Sequence, residues 1–228
     1  MSQEIEFKFG VADEAALDRF AAAFGLSRAN EPSRTQQNSF FDTREGDLRA
    51  QGLALRLRVE NGRGILTIKG KGTPRSAHGA LHSRFEAELE IEHQDARAIL
   101  DGQRSPLDLL AGSSAPDVKE GLERVRTALG PAKLVHLGGF ENERTTLPPV
   151  AIDVSGRTET LVFELDRTSF PGNRVDCEIE AEIGPEVAAE PLFECLRGIF
   201  EQAGIPWKPA PSKLARFREI QKIQRDAL

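Results

Sequence analysis

Carboxylates and cations recur at every second position in several short stretches of this chain. Glu4, Glu6 and Lys8 come first, followed by Arg56 and Arg58 with Lys69 close behind, then Arg84, Glu86 and Glu88, and finally Glu178, Glu180 and Glu182. A spacing of two puts side chains on one face of a strand. Carboxylates one strand-step apart can grip a hard divalent cation through oxygen. Guanidinium and ammonium groups beside them can hold an anion such as phosphate. A metal-bound polyanion calls for both. A solvated sheet face laced with local ion pairs would use the same residue types, so a single stretch such as Glu4-Glu6-Lys8 decides nothing alone.

The elements that must position these residues read mainly as strands. Glu4 to Phe9 alternates charged residues with Ile5, Phe7 and Phe9. Leu53–Val59 and Ile65–Lys69 flank Asn61-Gly62, a strong signal for a two-residue primed turn. That turn predicts Arg58 opposite Ile65, Arg56 opposite Thr67 and Ala54 opposite Lys69. Arg56, Arg58 and Lys69 then share one face, and Leu55, Leu57, Leu66 and Ile68 share the other. Three cations on one face repel each other unless something anionic lies among them. Arg84 to Glu92 alternates strictly.

Further along, Leu134–Thr146, Val150–Val154, Leu161–Asp166 and Val175–Ile183 read as strands, and Arg144, Glu164 and Asp166 are candidates for a charged face. A three-residue loop at Pro171-Gly172-Asn173 would set Asp166 opposite Glu178, whereas a loop of two or four residues would separate them. Phe40-Phe41-Asp42-Thr43 reads as a short strand ending in a turn, preceded by a loop through Asn30, Pro32 and Ser33. Gly70–Ala80 reads as a mobile loop carrying Lys71 and Arg75.

Helices supply the apolar partners. Asp13 is a candidate N-cap for a helix with Leu17, Phe20, Ala21 and Phe24 on one stripe, stopping at Gly25. Residues 95–129 read as a helical connector in two pieces, interrupted near 102–106 and 112–116. Pro191 suits a first helical turn before Leu192, Leu196, Ile199 and Phe200. A last helix begins at Ser212, a candidate N-cap. Lys213 is then at the helix start, where the macrodipole disfavours a cation unless an anion draws it there.

Composition narrows the classes. With 228 residues, 39% hydrophobic and 29% charged, the chain is long enough for a full core, and one domain spanning 1–228 is expected. A net charge of −6 argues against nucleic acid as a partner. No apolar run reaches membrane-spanning length, and the start of the chain predicts no signal peptide. Only Cys177 and Cys195 are present, so a reducing cytoplasm is expected. The four histidines lack zinc-like spacing with either cysteine.

If helices cover the apolar faces, the charged faces are either open to water or enclosed by a curling sheet. About eight strands suffice to close a barrel, which predicts an α+β fold: a closed antiparallel β-barrel with helices packed outside. A polyphosphate held by Arg and Lys, bridged by divalent cations to carboxylates, would balance such an interior. There is no P-loop.

These segments, in this order, resemble the CYTH family, the triphosphate tunnel metalloenzymes. Glu4-Glu6-Lys8 matches its ExExK signature, Phe40–Thr43 is similar to its aromatic-Phe-Asp-Thr turn, and Leu55–Arg58 and Thr67–Gly70 look like its paired-arginine and Thr-x-Lys-Gly strands. Arg84–Glu88, Arg144, Leu165-Asp166, Glu178–Glu180 and Ser212-Lys213 fall in the family's order. The resemblance implies a metal-dependent hydrolase of a triphosphate, first of all inorganic tripolyphosphate, using Mg2+ or Mn2+. It assigns catalysis to Glu4, Glu6 and Lys8, and phosphate binding to Lys8, Arg56, Arg58, Lys69, Arg84, Arg144 and Lys213. Metal would be held by Glu4, Glu6, Asp166, Glu178 and Glu180, and Glu86 and Glu88 would order the basic side chains or assist with metal. Thiamine triphosphatase and adenylyl cyclase activities are the alternatives within the enzyme class, and a non-catalytic polyphosphate-binding module is the alternative outside it. The expected assembly is a monomer or homodimer. The chain contains no tyrosine, so the lysine–tyrosine pair proposed for some hydrolytic members has no counterpart, and Phe40 stands where tyrosine or histidine is common.

Overall fold

A computed structural model describes residues 3–74 and 78–226. Arg75 lies outside the described residues. The elements are β1 (Gln3–Val11), α1 (Glu14–Ala22), β2 (Ser33–Asp42), α2 (Asp47–Ala50), β3 (Ala54–Glu60), β4 (Arg63–Lys69), β5 (Thr73–Pro74), β6 (Leu81–Ile91), α3 (His93–Leu100), α4 (Pro106–Ala111), α5 (Pro116–Leu129), β7 (Val135–Thr146), β8 (Val150–Val154), β9 (Arg157–Leu161), β10 (Phe163–Phe170), β11 (Arg174–Glu182), α6 (Ala189–Gln202), β12 (Trp207–Pro209) and α7 (Lys213–Asp226).

The main sheet runs β12-β1-β11-β10-β7-β2-β3-β4-β6-β5, and β1 also pairs with β6. Lys8 N donates to Ala80 O at 2.9 Å as β1 meets the chain entering β6. Eight strands therefore follow one another in a closed order, an antiparallel β-barrel of the kind expected. A separate two-stranded sheet joins β8 to β9.

The chain forms two compact units. The first comprises Met1–Glu4, Thr35–Gly72 and Arg84–Glu141. Asn61 and Gly62 both adopt positive φ, 48° and 73°, the conformation a primed hairpin turn requires. The register is the predicted one: Arg58 faces Ile65, Arg56 faces Thr67 and Ala54 faces Lys69. Leu55, Leu57, Leu66 and Ile68 are thereby fully buried beneath Ala96, Ile99, Val118, Leu122 and Val125 of α3 and α5. The connector forms three helices rather than two pieces, because both predicted interruptions end one. Gly102 takes φ 71° after α3, and Ser105 caps α4 by accepting from Leu107 N at 3.2 Å. The Phe40–Thr43 turn is built around Asp42, whose carboxylate accepts from the backbone of Thr43, Leu48 and Arg49. The strand that precedes it begins at Ser33, where a loop was expected.

The second unit comprises Ile5–Arg34, Thr73–Ser83 and Asn142–Leu228. Ile5, Phe7 and Phe9 of β1 pack with Phe163, Leu165, Ile179 and Ala181 of β10 and β11. Leu17 and Phe20 of α1 and Leu192, Phe193, Leu196 and Phe200 of α6 complete this core. Asp13 caps α1 by accepting from Ala16 N at 2.9 Å. Pro191 lies two residues inside α6, which starts at Ala189. Trp207 stands edge-on to Phe9 and Phe193, at ring separations of 5.1 and 5.5 Å. Among the described residues no helix is long and apolar enough to cross a membrane.

Candidate functional site

In the second unit the loop at Pro171–Asn173 has three residues, so Asp166 faces Glu178 and Glu164 faces Glu180 across β10 and β11. On the other side of β11, Lys8 of β1 faces Glu180 and Glu6 faces Glu182. Alternation sends the aromatic and aliphatic residues of these strands towards α1 and α6 and the charged ones to the opposite face. The middle of that face is not solvated, although Glu182 at its end is exposed. Asp166 is 0% exposed, Glu178 1%, Glu180 6%, and Glu6 and Lys8 5% each.

Asp166, Glu178 and Glu180 each offer a carboxylate oxygen within 4.8 Å of the others. Ionised carboxylates so close and so dry repel strongly, and cations offset the repulsion. Arg144 of β7 donates through Nε and Nη2 to the two oxygens of Asp166 at 2.7 and 2.6 Å, and through Nη2 to Glu180 at 2.6 Å. Lys8 Nζ donates to Glu180 at 2.5 Å and lies 3.1 Å from Glu6. Lys213 of α7 reaches all three: Asp166 at 2.7 Å, Glu180 at 3.0 Å, and Glu178. Its ammonium is a cation held by three hard oxygen donors, the ligand set of a magnesium or manganese site. The residues present fit such an ion.

Burial and charge pull these acids apart. Burial would raise Asp166 and Glu180, but Arg144 and Lys213 overcome it for the first and Lys213, Lys8 and Arg144 for the second, so both are held below the usual carboxylate range. At Glu178 burial wins, and its carboxyl is pushed up. Burial works against the Lys213 ammonium, but Asp166, Glu178 and Glu180 more than compensate and raise it.

Three neighbours of this cluster went unrecognised in the sequence. Asn142 donates to Asp166 at 2.9 Å and accepts from Thr168 at 2.7 Å, both fully enclosed. Arg216, one helical turn after Lys213, donates to Glu178 and, at 3.0 Å, to Asp176. Its spacing of three from Lys213 was the available signal.

The first unit holds a separate cluster in which cations alternate with carboxylates. Arg56, Thr67 and Glu88 stand side by side across β3, β4 and β6, as do Lys69 and Glu86. Lys69 Nζ donates to Glu86 at 2.5 Å and lies 3.8 Å from Glu4. Arg84 Nε donates to Glu4 at 2.5 Å. Arg56 Nη2 reaches Thr67 at 3.1 Å and Glu88 at 3.4 Å, and Arg58 lies 3.7 Å from Glu88. The buried Nε groups of Arg56 and Arg58 have no hydrogen-bond partner. Burial lowers Arg56, and neighbouring Arg58 lowers it further. Burial, then Arg56 and Arg84, bring Lys69 down to about 8. Glu60 lies 3.6 Å from Arg58, so cations and carboxylates are interleaved here, and an anion would satisfy the unmade hydrogen bonds and relieve the repulsion among the cations.

The predicted site residues thus divide. Asp166, Glu178 and Glu180 come together as oxygen ligands, with Lys8, Arg144 and Lys213 upon them and Glu6 beside Lys8. Glu4, Glu86 and Glu88 lie instead against Lys69, Arg84, Arg56 and Arg58.

Residues 2–217 match the CYTH domain. A protein of Bacillus subtilis (strain 168), provisionally named triphosphatase YjbK, is 27% identical over 225 residues, covering 97% of this chain and 98% of its own. The structure of HpAC1 from Hippeastrum, described as a proposed adenylyl cyclase with a dominant triphosphatase activity, is 28% identical with a TM-score of 0.75, covering 95% of each chain. A Bacillus halodurans structure shares the fold at 22% identity and a TM-score of 0.62, over 95% of this chain and 99% of that one. From its charged strands to its helical cover, this chain belongs to the CYTH domain family.

Proposed function

We propose that this protein is a metal-dependent triphosphatase, with inorganic tripolyphosphate as its substrate and Mg2+ or Mn2+ as its metal. The observation that carries this reading is the buried carboxylate triad of Asp166, Glu178 and Glu180 with a cation, the Lys213 ammonium, already seated among its oxygens. A protein that only bound polyphosphate would need mainly the cations. Asp166, Glu178 and Glu180 would hold the metal, which would supply charge neutralisation at a phosphate and acidify a water. Arg144 and Asn142 fix Asp166 for that duty. Within the first unit, Arg56, Arg58, Lys69 and Arg84 are the donors for phosphate oxygens, and the Nε groups of Arg56 and Arg58 make no hydrogen bond of their own. Glu4, Glu86 and Glu88 orient those side chains. Lys8, tied to Glu6 and Glu180, completes the neutralisation.

The inorganic substrate is favoured over thiamine triphosphate or ATP because Trp207, the only tryptophan, is committed to the aromatic core against Phe9, Phe193 and Phe200. The family relative HpAC1, whose described activity is dominated by triphosphatase rather than cyclase chemistry, supports hydrolysis. A cytoplasmic setting fits the two unpaired thiols, Cys177 and Cys195.

The test is phosphate release from tripolyphosphate, thiamine triphosphate and ATP, each with Mg2+ or Mn2+, for the native chain and for Glu6→Gln and Lys8→Ala. Fastest release from tripolyphosphate is expected, with both variants impaired. Binding without turnover on any substrate would leave the polyphosphate-binding module, and cyclic AMP with pyrophosphate from ATP would identify a cyclase.

A further inference from the structure

Two cations from one turn of α7 share a single carboxylate. Lys213 Nζ donates to Glu178 Oε1, and Arg216 Nη2 to Glu178 Oε2. Their surroundings differ. Arg216 is 7% exposed, holds Asp176 through its other terminal nitrogen at 3.0 Å, and lies over the Phe170 ring with its guanidinium carbon 5.5 Å from the centroid. It touches one member of the triad, from the side away from Lys213. Lys213 touches all three members with the same oxygens that would ligate an ion, and so competes with one directly.

Lys213 is also badly placed on local grounds. It is the first residue of α7, where the helix's positive end disfavours an ammonium. Nor does α7 depend on it for docking. Ser212 caps the helix by accepting from Ala215 N at 3.2 Å, Arg216 ties it to β11, and Phe217 and Ile220 are buried at 1% and 7% exposure. The four-carbon stem of a lysine lets Nζ swing away without moving the backbone.

We propose that Lys213 is a built-in stand-in for the metal, displaced from Asp166, Glu178 and Glu180 when a divalent cation enters, whereas Arg216 is a positioning residue that keeps Glu178 in place throughout. The inference rests on the metal-binding reading above and goes beyond it by naming what the metal must displace. An ammonium leaves and a doubly charged ion enters, so the triad gains one unit of compensating charge. The released ammonium is then free to face phosphate.

The experiment is a titration of Mn2+ alone, without substrate, into the native protein and into Lys213→Gln, Lys213→Met, Arg216→Met and Arg216→Lys. Free Mn2+ is followed by electron paramagnetic resonance, and folding by circular dichroism and thermal melting. Both Lys213 variants are expected to bind Mn2+ on the order of tenfold more tightly than the native chain. Their metal-free forms should melt lower and recover when Mn2+ is added. Arg216→Met should bind roughly 10–100-fold more weakly, as when an outer partner of a ligand is lost, with part of the affinity regained in Arg216→Lys. Unchanged or weaker binding by the Lys213 variants would overturn the exchange while leaving the metal site intact. Failure of both Lys213 variants to fold would overturn it too, since the lysine would then be a fixed part of the scaffold. Native affinity in Arg216→Met would remove the positioning role. No Mn2+ binding by the native chain or any variant would take down the metal reading itself, and this proposal with it.

Discussion

Asp166 and Glu178 face each other directly across β10 and β11, and the ammonium of Lys213 bridges them. Two opposed carboxylates at full burial are tolerable only with cations in hydrogen-bond contact. Replacing Asp166 with Asn removes one negative partner from each of Arg144 and Lys213, the one both share at full burial. Breaking a buried pair from one side costs about 3–5 kcal/mol, so Asp166→Asn should lose stability on that scale in urea unfolding.

Removing the metal should stop catalysis without unfolding the chain. The triad is compensated internally by Lys213, Arg144 and Lys8, so the metal-free protein has no bare acidic cluster. Chelation is expected to abolish phosphate release and leave the far-ultraviolet circular dichroism unchanged. Activity should return with Mg2+ or Mn2+. Unfolding on chelation would contradict this arrangement.

The Nε groups of Arg56 and Arg58 make no hydrogen bond, although Glu60 lies 3.6 Å from the latter, and they point to direct anion contact. Arg56→Ala and Arg58→Ala should each weaken tripolyphosphate binding by on the order of tenfold or more, a charge-assisted hydrogen bond being worth about 1.5–3 kcal/mol. Lysine should restore only part of it, because it lacks the planar fork. Calorimetric titration with tripolyphosphate measures this directly.

Lys69 sets a pH limit. Burial with Arg56 and Arg84 lowers its pKa to about 8 from an ordinary 10.5. The folded protein therefore holds fewer protons than the unfolded chain between those values, so the Lys69 contribution to stability rises with pH across that window. Anion binding acts the other way. A bound phosphate favours the charged form, so binding near pH 8.5 should take up protons, and affinity should fall as pH climbs past about 8. Calorimetry in two buffers of different ionisation enthalpy reads the uptake, and Lys69→Met should abolish it.

One glycine in the first unit tests the pairing of β2 with β7. A Cβ on Gly139 would lie 1.7 Å from the carbonyl oxygen of Asn38, which is backbone and cannot swing aside. Gly139→Ala should therefore cost about 1–3 kcal/mol or more through forced backbone shifts, read by equilibrium unfolding.

Much of this was legible in the chain because the governing forces are local. Asn61-Gly62 sets the β3–β4 register through the positive φ that a primed turn demands, and that register alone gathers Arg56, Arg58 and Lys69. Strict alternation in β1, β6 and β11 separates charged from apolar faces, and Asp13 and Ser212 mark helix starts by accepting backbone donors a few residues ahead. The family's motif order is likewise a property of the linear sequence.

The tertiary structure alone decided the rest. The early part of β2, Ser33 to Gln37, carries no apolar alternation; its polar side chains meet distant partners, as Gln36 does Glu60 at 2.7 Å, and a local reading sees only a loop. The turn at Pro171–Asn173 admitted more than one length, and the pairing of β10 with β11 selected the one that opposes Asp166 and Glu178. That Glu4, Glu86 and Glu88 attend arginines and lysines while Asp166, Glu178 and Glu180 converge on one cation depends on which strands become neighbours. Residue type and spacing specify which groups can do the chemistry. Their pairing is set by contacts between residues far apart in the chain, as when Lys213 meets Asp166 across 47 positions.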